Sequence, residues 1–375
     1  MKAKYRKIER YLQILDTQRF YGTREIEEIS VCPSGYKEGH TPPSPEKFSP
    51  YVKGTPIAEG LPDRHEWYHF TLNVNEEGLS EAPLQLHLGC CGKSITNDPQ
   101  LILYVNGELK QGLDANHTDY AFTENGIYDI YLYAYTGRRS SAVSFRSAIQ
   151  RTAPLPIPFS AYTRRLRKCV NDLYFDIKVP FDALKVLSEN SAEYALTLYH
   201  LDRAVSMLDM ISVGSEEFFA SVNEARRYMT DEFYGKYCSP QPTTVACIGS
   251  THIDCAWLWT LKQSREKVQR SFSTVIELMR EYPEYKFMSS QPLLYKMLKE
   301  EAPELYEKVK ALVAEGRWEC EGAMWVEADC NLTSGESLVR QILYGKRFSA
   351  RNLERTAAFF GSPTCLATPP HSLKY

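Results

Sequence analysis

A histidine and an aspartate stand two positions apart in the stretch CIGSTHIDCAWLWTLKQS, where His252 and Asp254 follow a short apolar run. On an extended chain, residues i and i+2 face the same side. One imidazole nitrogen and one carboxylate oxygen can therefore reach a single cation, at about 2.0–2.2 Å each for zinc. An isolated His-x-Asp sequence is more often a hydrogen-bonded pair of side chains than a metal site. The sequence therefore leaves both interpretations open.

Two tryptophans follow this pair directly. Trp257 and Trp259 are either packed in the core, as most tryptophans are, or form an aromatic platform. A platform would suit a carbohydrate, because the C–H face of a sugar packs well against an indole ring. The spacing of the two residues does not decide between these interpretations.

Carboxylates are concentrated in a second stretch, MWVEADCNLTSGES, which follows another predicted strand. Glu327 and Asp329 could bind sugar hydroxyl groups through charge-assisted hydrogen bonds, with Trp325 beside them. The alternative is helix capping, in which Thr333 or Ser334 is the N-cap and Glu336 lies in the first turn. Capping explains Ser334 and Glu336 and leaves Glu327 and Asp329 unexplained.

The elements that must position these residues follow from the pattern of apolar side chains. Between residues 66 and 146 the chain alternates or runs apolar and is rich in aromatic and β-branched residues, which predicts strands. Asn106-Gly107 lies between two such runs and predicts a tight hairpin. We therefore predict an ancillary antiparallel β-sandwich domain over residues 1–160, with a leading helix and a long loop.

The rest of the chain predicts two further units of a multidomain protein. Apolar residues at spacings of three and four predict a helical connector over residues 161–240. Over residues 241–348, TTVACIG predicts a buried strand, YKFMSS and RWECEGA predict two more, and helices lie between them. Such alternation implies a mainly parallel sheet with ligands at the carboxyl ends of its strands. We predict the first part of an α/β, barrel-like catalytic domain.

Composition argues against several classes of function. The 44 basic and 47 acidic residues nearly balance, so no general attraction to nucleic acid or to an anionic membrane is expected. The N-terminus lacks the apolar core of a signal peptide, and no run of apolar residues is long enough to predict a membrane span. The ten cysteines form no C-x-x-C pair, which predicts reduced thiols in a cytoplasmic protein.

Long motifs of this chain resemble those of a known enzyme family. HIDCAWLW, MWVEADCNLTSGESLVRQ and YGKRF are similar to the start of the catalytic domain of the α-mannosidases of glycoside hydrolase family 38. LYVNGELKQGLDANHTD resembles the ancillary β domain of the cytosolic and bacterial branch. The resemblance covers the chain to about Phe348 and implies a retaining hydrolase of terminal α-mannosides.

The resemblance also implies roles for residues already singled out. His252 and Asp254 match two of the four protein ligands of a catalytic zinc, or of cobalt in some members. Trp257 matches the aromatic residue that packs on the bound mannose. The further predicted substrate contacts are Trp325, Glu327 and Asp329. The expected partners are α-mannoside oligosaccharides, and a homo-oligomer is one expectation for full-length members.

The chain departs from the family beyond this point. The resemblance implies a nucleophilic aspartate soon after GKRF, in a motif like L-W-L-P-D-V-F-G-Y-S, yet no aspartate follows Asp329. Codons chosen for Phe360 onward and read two bases later spell W-L-P-D-V-F-G-Y-S-A-A-L-P-Q-I. We therefore hypothesise that residues 349–375 are an out-of-frame tail. Resequencing the gene tests this, and an intact frame encoding an unrelated tail would contradict it.

The missing motif sets the expectation for this chain. Without the other two metal ligands, the nucleophile and the acid, it should bind zinc weakly and hydrolyse little, and no catalytic residue is assigned. One alternative is a non-catalytic carbohydrate-binding or interaction protein built on the β domain. Another is an unrelated metal hydrolase such as a deacetylase, although the other histidines offer no second metal-like pair after a strand.

Overall fold

The computed structural model describes residues 2–36, 41–91, 98–137, 142–144, 147–149, 157–238, 245–257 and 259–353. Antiparallel sheets, helices and a small parallel sheet form a multidomain arrangement. The predicted out-of-frame tail, residues 349–375, lies outside the described residues from residue 354 onward, and its first residues continue a helix.

Antiparallel strands build the first part of the structure. The strands are β1 (Phe20–Glu25), β2 (Ser30–Ser34), β3 (Ser49–Pro50), β4 (His65–Val74), β5 (Leu84–Leu88), β6 (Gln100–Val105), β7 (Glu108–Leu113), β8 (Asp119–Phe122), β9 (Gly126–Tyr135), β10 (Ala142–Ser144), β11 (Ser147–Ile149) and β12 (Ala161–Leu166). A six-stranded sheet has the order β3-β2-β4-β9-β6-β7, and a four-stranded sheet has the order β1-β12-β5-β8. β10 and β11 pair only with each other among the described strands.

The two larger sheets share one apolar core. Phe70, Leu72 and Val74 of β4 alternate with half-buried or exposed residues, and their side chains pack in the same cluster as Leu86 and Leu88 of β5. A period of two sends these side chains to one face of each sheet. Burial of that shared face therefore holds the two sheets together.

The predicted hairpin at Asn106-Gly107 is confirmed. These residues connect β6 to β7 with φ values of 52° and 80°, and Val105 pairs with Glu108 across the turn. A two-residue turn of this kind needs positive φ at both central positions, which asparagine and glycine tolerate best.

Helices form the second part and include the helix that begins the chain. They are α1 (Lys2–Gln18), α2 (Lys168–Ala183), α3 (Ala192–Ser206) and α4 (Glu216–Tyr228), followed by a π-helix over Met229–Tyr237. Ile8, Leu12 and Leu15 of α1 are buried in one core with α2, α3 and α4. By packing, the leading helix thus belongs with the connector helices and not with the β domain.

One strand of the four-stranded sheet lies just beyond the domain boundary predicted at residue 160. β12 begins at Ala161 and lies between β1 and β5 in the four-stranded sheet. A unit ending at residue 160 would lack this internal strand. The sequence AYTRRL does not predict this strand, because only Ala161 and Thr163 are buried and the remaining residues are polar or half-exposed.

A parallel sheet with helices forms the third part, as the alternation of strands and helices predicts. Its strands β13 (Gly249–Ser250), β14 (Phe287–Ser289) and β15 (Trp318–Cys320) are adjacent in that order and run parallel. Its helices are α5 (Leu261–Glu281), α6 (Pro292–Glu301), α7 (Pro303–Ala314) and α8 (Gly335–Asn352). In the described part of the chain, no helix combines the length and apolar character needed to cross a bilayer.

The prediction of a buried strand over TTVACIG was wrong. Among the described residues of that run, 245–249, the strand contains only Gly249, and Val245 and Ile248 are 77% and 55% exposed. The cause is the position of β13, which pairs with β14 on one side and with no other described strand. A run of apolar residues becomes a buried strand only where neighbours cover it on both faces.

Candidate functional site

His252 and Asp254 lie directly after β13, at the carboxyl end of the parallel sheet. The two side chains point to the same side of the chain, with His252 Nε2 3.2 Å from Asp254 Oδ1, as the spacing predicts. Ile253 between them is buried in the core. Both polar side chains are partly exposed, so a ligand can approach the two facing atoms.

Glu327 joins this pair from the segment after β15. Its Oε2 lies 3.2 Å from His252 Nδ1, and its Oε1 accepts a hydrogen bond from the Ser290 hydroxyl beside the end of β14. The Glu327 side chain is only 4% exposed. In this structure Nε2 is hydrogen-bonded to the Asp254 carboxylate. A carboxylate that accepts from Nδ1–H fixes the ring, and it leaves the lone pair of Nε2 for a cation once that cation replaces the hydrogen bond to Asp254. This placement suits the orientation of His252, and a contact of Glu327 with substrate stays a prediction.

Gln291, which the sequence analysis missed, ties the three strand ends together. It is buried, with φ 64°, immediately before the proline that begins α6. Its Nε2 donates to the Ile253 carbonyl at 2.8 Å, and its Oε1 accepts from the Glu327 amide at 3.3 Å. The sequence signal was a polar residue between a strand end and a proline, in SSQP.

The residues present fit part of a metal site. Imidazole nitrogen and carboxylate oxygen are ordinary zinc ligands, and the facing atoms of His252 and Asp254 can share one cation. Cys255 is no thiolate near neutral pH, because burial raises its pKa to about 11. Among the residues that the structure describes, no three His, Cys, Asp or Glu side chains are grouped to hold a metal ion. Tight zinc binding would therefore need ligands beyond this pair.

The two tryptophans after the pair differ in their environment. The Trp259 indole N–H donates to the Asp254 carbonyl at 3.0 Å and to the Ser264 hydroxyl at 3.1 Å, so this side chain holds the segment in place. Trp257 is 67% exposed and meets Trp259 edge-on, with ring centroids 5.4 Å apart. Of the two, Trp257 thus has the open ring that a sugar platform requires.

The remaining predicted contacts occupy the segment between β15 and α8. Trp325 packs edge-on against Phe348, with ring centroids 5.7 Å apart. Asp329 is exposed, and its Oδ1 accepts the Asn331 amide at 2.8 Å, which closes a local turn. Ser334 accepts the Ser337 amide at 3.2 Å, so of the two predicted N-cap candidates of α8 the structure has Ser334. Asp329 thus has a bracing role in the fold, and its contact with substrate stays a prediction.

A cavity of about 370 Å³ opens beside His252, between β13, α5 and residues of the β domain that include His117. Lys267 of α5 lines it, and the ammonium lies 4.4 Å from the centroid of the Trp259 ring. Burial lowers the pKa of Lys267 to about 8. No sequence pattern distinguished this residue, because lysines on a helix are most often solvated.

Comparison with known proteins assigns the segment that carries the site. Residues 242–363 match the family described as "Glycosyl hydrolases family 38 N-terminal domain". The match includes β13, β14 and β15, and with them His252, Asp254 and Glu327. A solved β-glucuronidase structure from Bifidobacterium dentium is 10% identical, covers 40% of this chain and 30% of its own, and has a TM-score of 0.27, too low to support any argument.

Curated relatives agree with the family match. "Alpha-mannosidase G" of Dictyostelium discoideum is 35% identical over 203 residues, which are 54% of this chain and 18% of that protein. "Alpha-mannosidase 2C1" of Homo sapiens is 26% identical over 307 residues, 79% of this chain and 28% of that protein. The chain thus spans less than a third of the length of either relative. The family match places residues 242–363 in the N-terminal domain of glycoside hydrolase family 38, and the chain is similar to part of each of these α-mannosidases.

Proposed function

We propose that the protein to which this chain belongs is a retaining, zinc-dependent α-mannosidase acting on terminal α-mannosides. The observation that carries the proposal is the meeting of His252, Asp254 and Glu327 at the carboxyl ends of three parallel strands. These residues lie inside the segment that matches family 38. The exposed ring of Trp257 beside them supports a carbohydrate as the ligand.

Each residue of the site has a distinct part in this proposal. Zinc, when bound, would hold the 2- and 3-hydroxyl groups of the sugar. His252 Nε2 and Asp254 would supply two of its ligands, and Glu327 would keep the imidazole in the orientation that presents Nε2. Trp257 would pack against the C–H face of the mannose ring. Trp325 and Asp329 remain proposed contacts, and no described residue is assigned as nucleophile or acid.

The finer architecture and the location of the protein are part of the same proposal. The core shared by the two antiparallel sheets supports a β-sandwich, and the parallel order β13-β14-β15 supports the beginning of a β/α barrel. A cytoplasmic location and the out-of-frame tail over residues 349–375 stay proposals from the sequence. The family match continues past Phe348 to residue 363, so the gene sequence has to locate any break.

Zinc binding is the first expected result. Wild-type chain titrated with zinc chloride in a calorimeter should show weak saturable binding that His252→Ala removes. Glu327→Gln should lower the affinity about tenfold, because a second-sphere carboxylate raises the basicity of its histidine.

A matched pair elsewhere in the molecule provides the control. His69 Nε2 lies 2.6 Å from Asp129 Oδ1 on the β4–β9 ladder, far along the chain from the proposed site. His69→Ala should leave the zinc isotherm unchanged. Equal zinc binding by wild type and His252→Ala would remove the basis for a metal at this strand end.

Hydrolysis is the second expected result. The 375-residue chain should release p-nitrophenol from p-nitrophenyl α-mannoside no faster than Asp254→Ala, with or without zinc or cobalt, because it holds no assigned nucleophile. A chain extended through a corrected reading frame should show metal-dependent release. A folded, extended chain with no such activity would contradict the proposed function.

A further inference from the structure

Helix α5, which begins directly after the His252–Asp254 segment, is packed closely against the β domain. The Thr274 hydroxyl donates to the Gly112 carbonyl of β7 at 3.2 Å. A Cβ atom at Gly112 would lie 2.7 Å from the Arg270 Cα and 2.8 Å from its carbonyl oxygen. The helix and the strand therefore approach at backbone distance, and glycine at this position permits the contact.

A set of buried polar contacts accompanies this packing. Glu266 of α5 has a side chain that is 1% exposed, and its Oε1 lies 2.9 Å from His65 Nε2 of β4. Arg270 donates to the side chain of Gln100 at the start of β6. Buried charges of this kind are costly unless they are paired. The β domain provides these partners, so the buried polar side chains of α5 depend on it for their hydrogen bonds and ion pairs.

The first turn of α5 forms the most direct link. Gln263 Nε2 donates to the Tyr135 hydroxyl of β9, and that hydroxyl donates to Asp63 Oδ1 at 2.9 Å. Burial, together with Asp63, holds the pKa of Tyr135 above its usual range, so the hydroxyl keeps the proton it donates. The same Gln263 side chain accepts the Thr260 amide at 2.9 Å through Oε1, which caps the helix.

Two further hydrogen bonds connect this capped turn to the proposed site. The Ser264 hydroxyl donates to the Cys255 carbonyl at 2.6 Å and accepts from the Trp259 indole N–H. The same indole N–H reaches the Asp254 carbonyl. A continuous set of contacts thus leads from Tyr135 of the β domain to the backbone of a candidate metal ligand.

We propose that the β domain is a positioning element of the catalytic site, acting through Tyr135 and Gln263 on the segment over residues 251–260. The β domain holds the start of α5, and the start of α5 fixes the segment that presents His252 and Asp254. This proposal rests on the proposed function only in assigning metal binding to His252 and Asp254. It assigns the β domain a part in building the site, in place of a separate sugar-binding module.

Hydrogen exchange measured by mass spectrometry tests this without metal or substrate. In Tyr135→Phe, amides of residues 255–264 should exchange roughly threefold to tenfold faster than in wild type, as expected for the loss of one buried hydrogen bond. Tyr131→Phe is the matched control: it lies on the same strand and face, and its hydroxyl has no hydrogen bond to α5 among the described residues. Exchange over residues 192–228 should stay unchanged in both variants.

Two results would overturn the proposal. One is unchanged exchange of residues 255–264 in Tyr135→Phe. The other is an equal rise over residues 192–228, which would indicate a general loss of stability. Gly112→Ala offers a second, independent perturbation of the same contact and should speed exchange in the same peptides, whereas Gly126→Ala, with only ordinary contacts near its Cβ, should not. Failure of zinc to bind would contradict the proposed function and leave this exchange pattern intact.

Discussion

Replacing Gly345 with alanine is expected to detach α8 from the segment that carries Trp325 and Glu327. A Cβ atom at Gly345 would lie 1.8 Å from the Ala323 carbonyl oxygen and 2.8 Å from its carbonyl carbon. Both are backbone atoms, so no side-chain rotation relieves the clash. The free energy of unfolding should fall by roughly 3 kcal/mol, at the upper end for overpacking. Urea denaturation followed by circular dichroism measures this loss.

Gly335 provides the control within the same helix. It begins α8, and a Cβ atom there would meet nothing within 4 Å. Gly335→Ala should therefore change the free energy of unfolding by no more than about 0.5 kcal/mol. Similar losses for the two variants would show that α8 does not dock on the backbone of residues 323–324 in solution.

Replacing Trp318 with alanine should produce the other large loss of stability. The Trp318 side chain in β15 is fully buried, with its ring centroid 4.6 Å from that of Phe287 and 4.9 Å from that of Phe272. Its indole N–H also donates to the Tyr295 hydroxyl at 2.9 Å. The variant leaves a cavity among three aromatic rings, and the expected cost is about 3–5 kcal/mol.

Trp257→Ala tests the same chemical change at an exposed position. Because Trp257 is mostly solvated and meets only the edge of Trp259, its removal should cost less than about 1 kcal/mol. Thermal unfolding of Trp257→Ala and Trp318→Ala, measured side by side, distinguishes a tryptophan packed in the core from one exposed to a ligand. A Trp257→Ala variant as unstable as Trp318→Ala would mean that Trp257 is packed in solution and unavailable to a sugar.

The positions of His252 and Asp254 on one side of the chain could be predicted from their spacing alone. That prediction needs only the geometry of an extended backbone. The contact between Glu327 and His252 joins residues 75 positions apart, and it depends on the order in which β13, β14 and β15 lie side by side. No local pattern contains that order, so the sequence placed Glu327 near the site without assigning what it touches.

The stretch TTVACIG is a case in which the local sequence pattern led to a wrong prediction. Its composition favours a buried strand, but burial is decided by what covers the segment, and β13 has one described neighbour. β12 is the converse case: its polar sequence did not predict a strand, yet it is an internal strand because it pairs with β1 and β5. In both cases tertiary neighbours outweighed the local preference of the chain.

The packing of α1 with α2, α3 and α4 makes the β domain an insertion inside the helical unit, and this has a consequence during synthesis. Between Gln18 and Lys168 the ribosome must add about 150 residues, which takes roughly 8–30 s at 5–20 residues per second. Throughout that time the apolar stripe of α1 has no helical partner. We expect the nascent chain to complete its sheets first and to close the helices around α1 only afterwards.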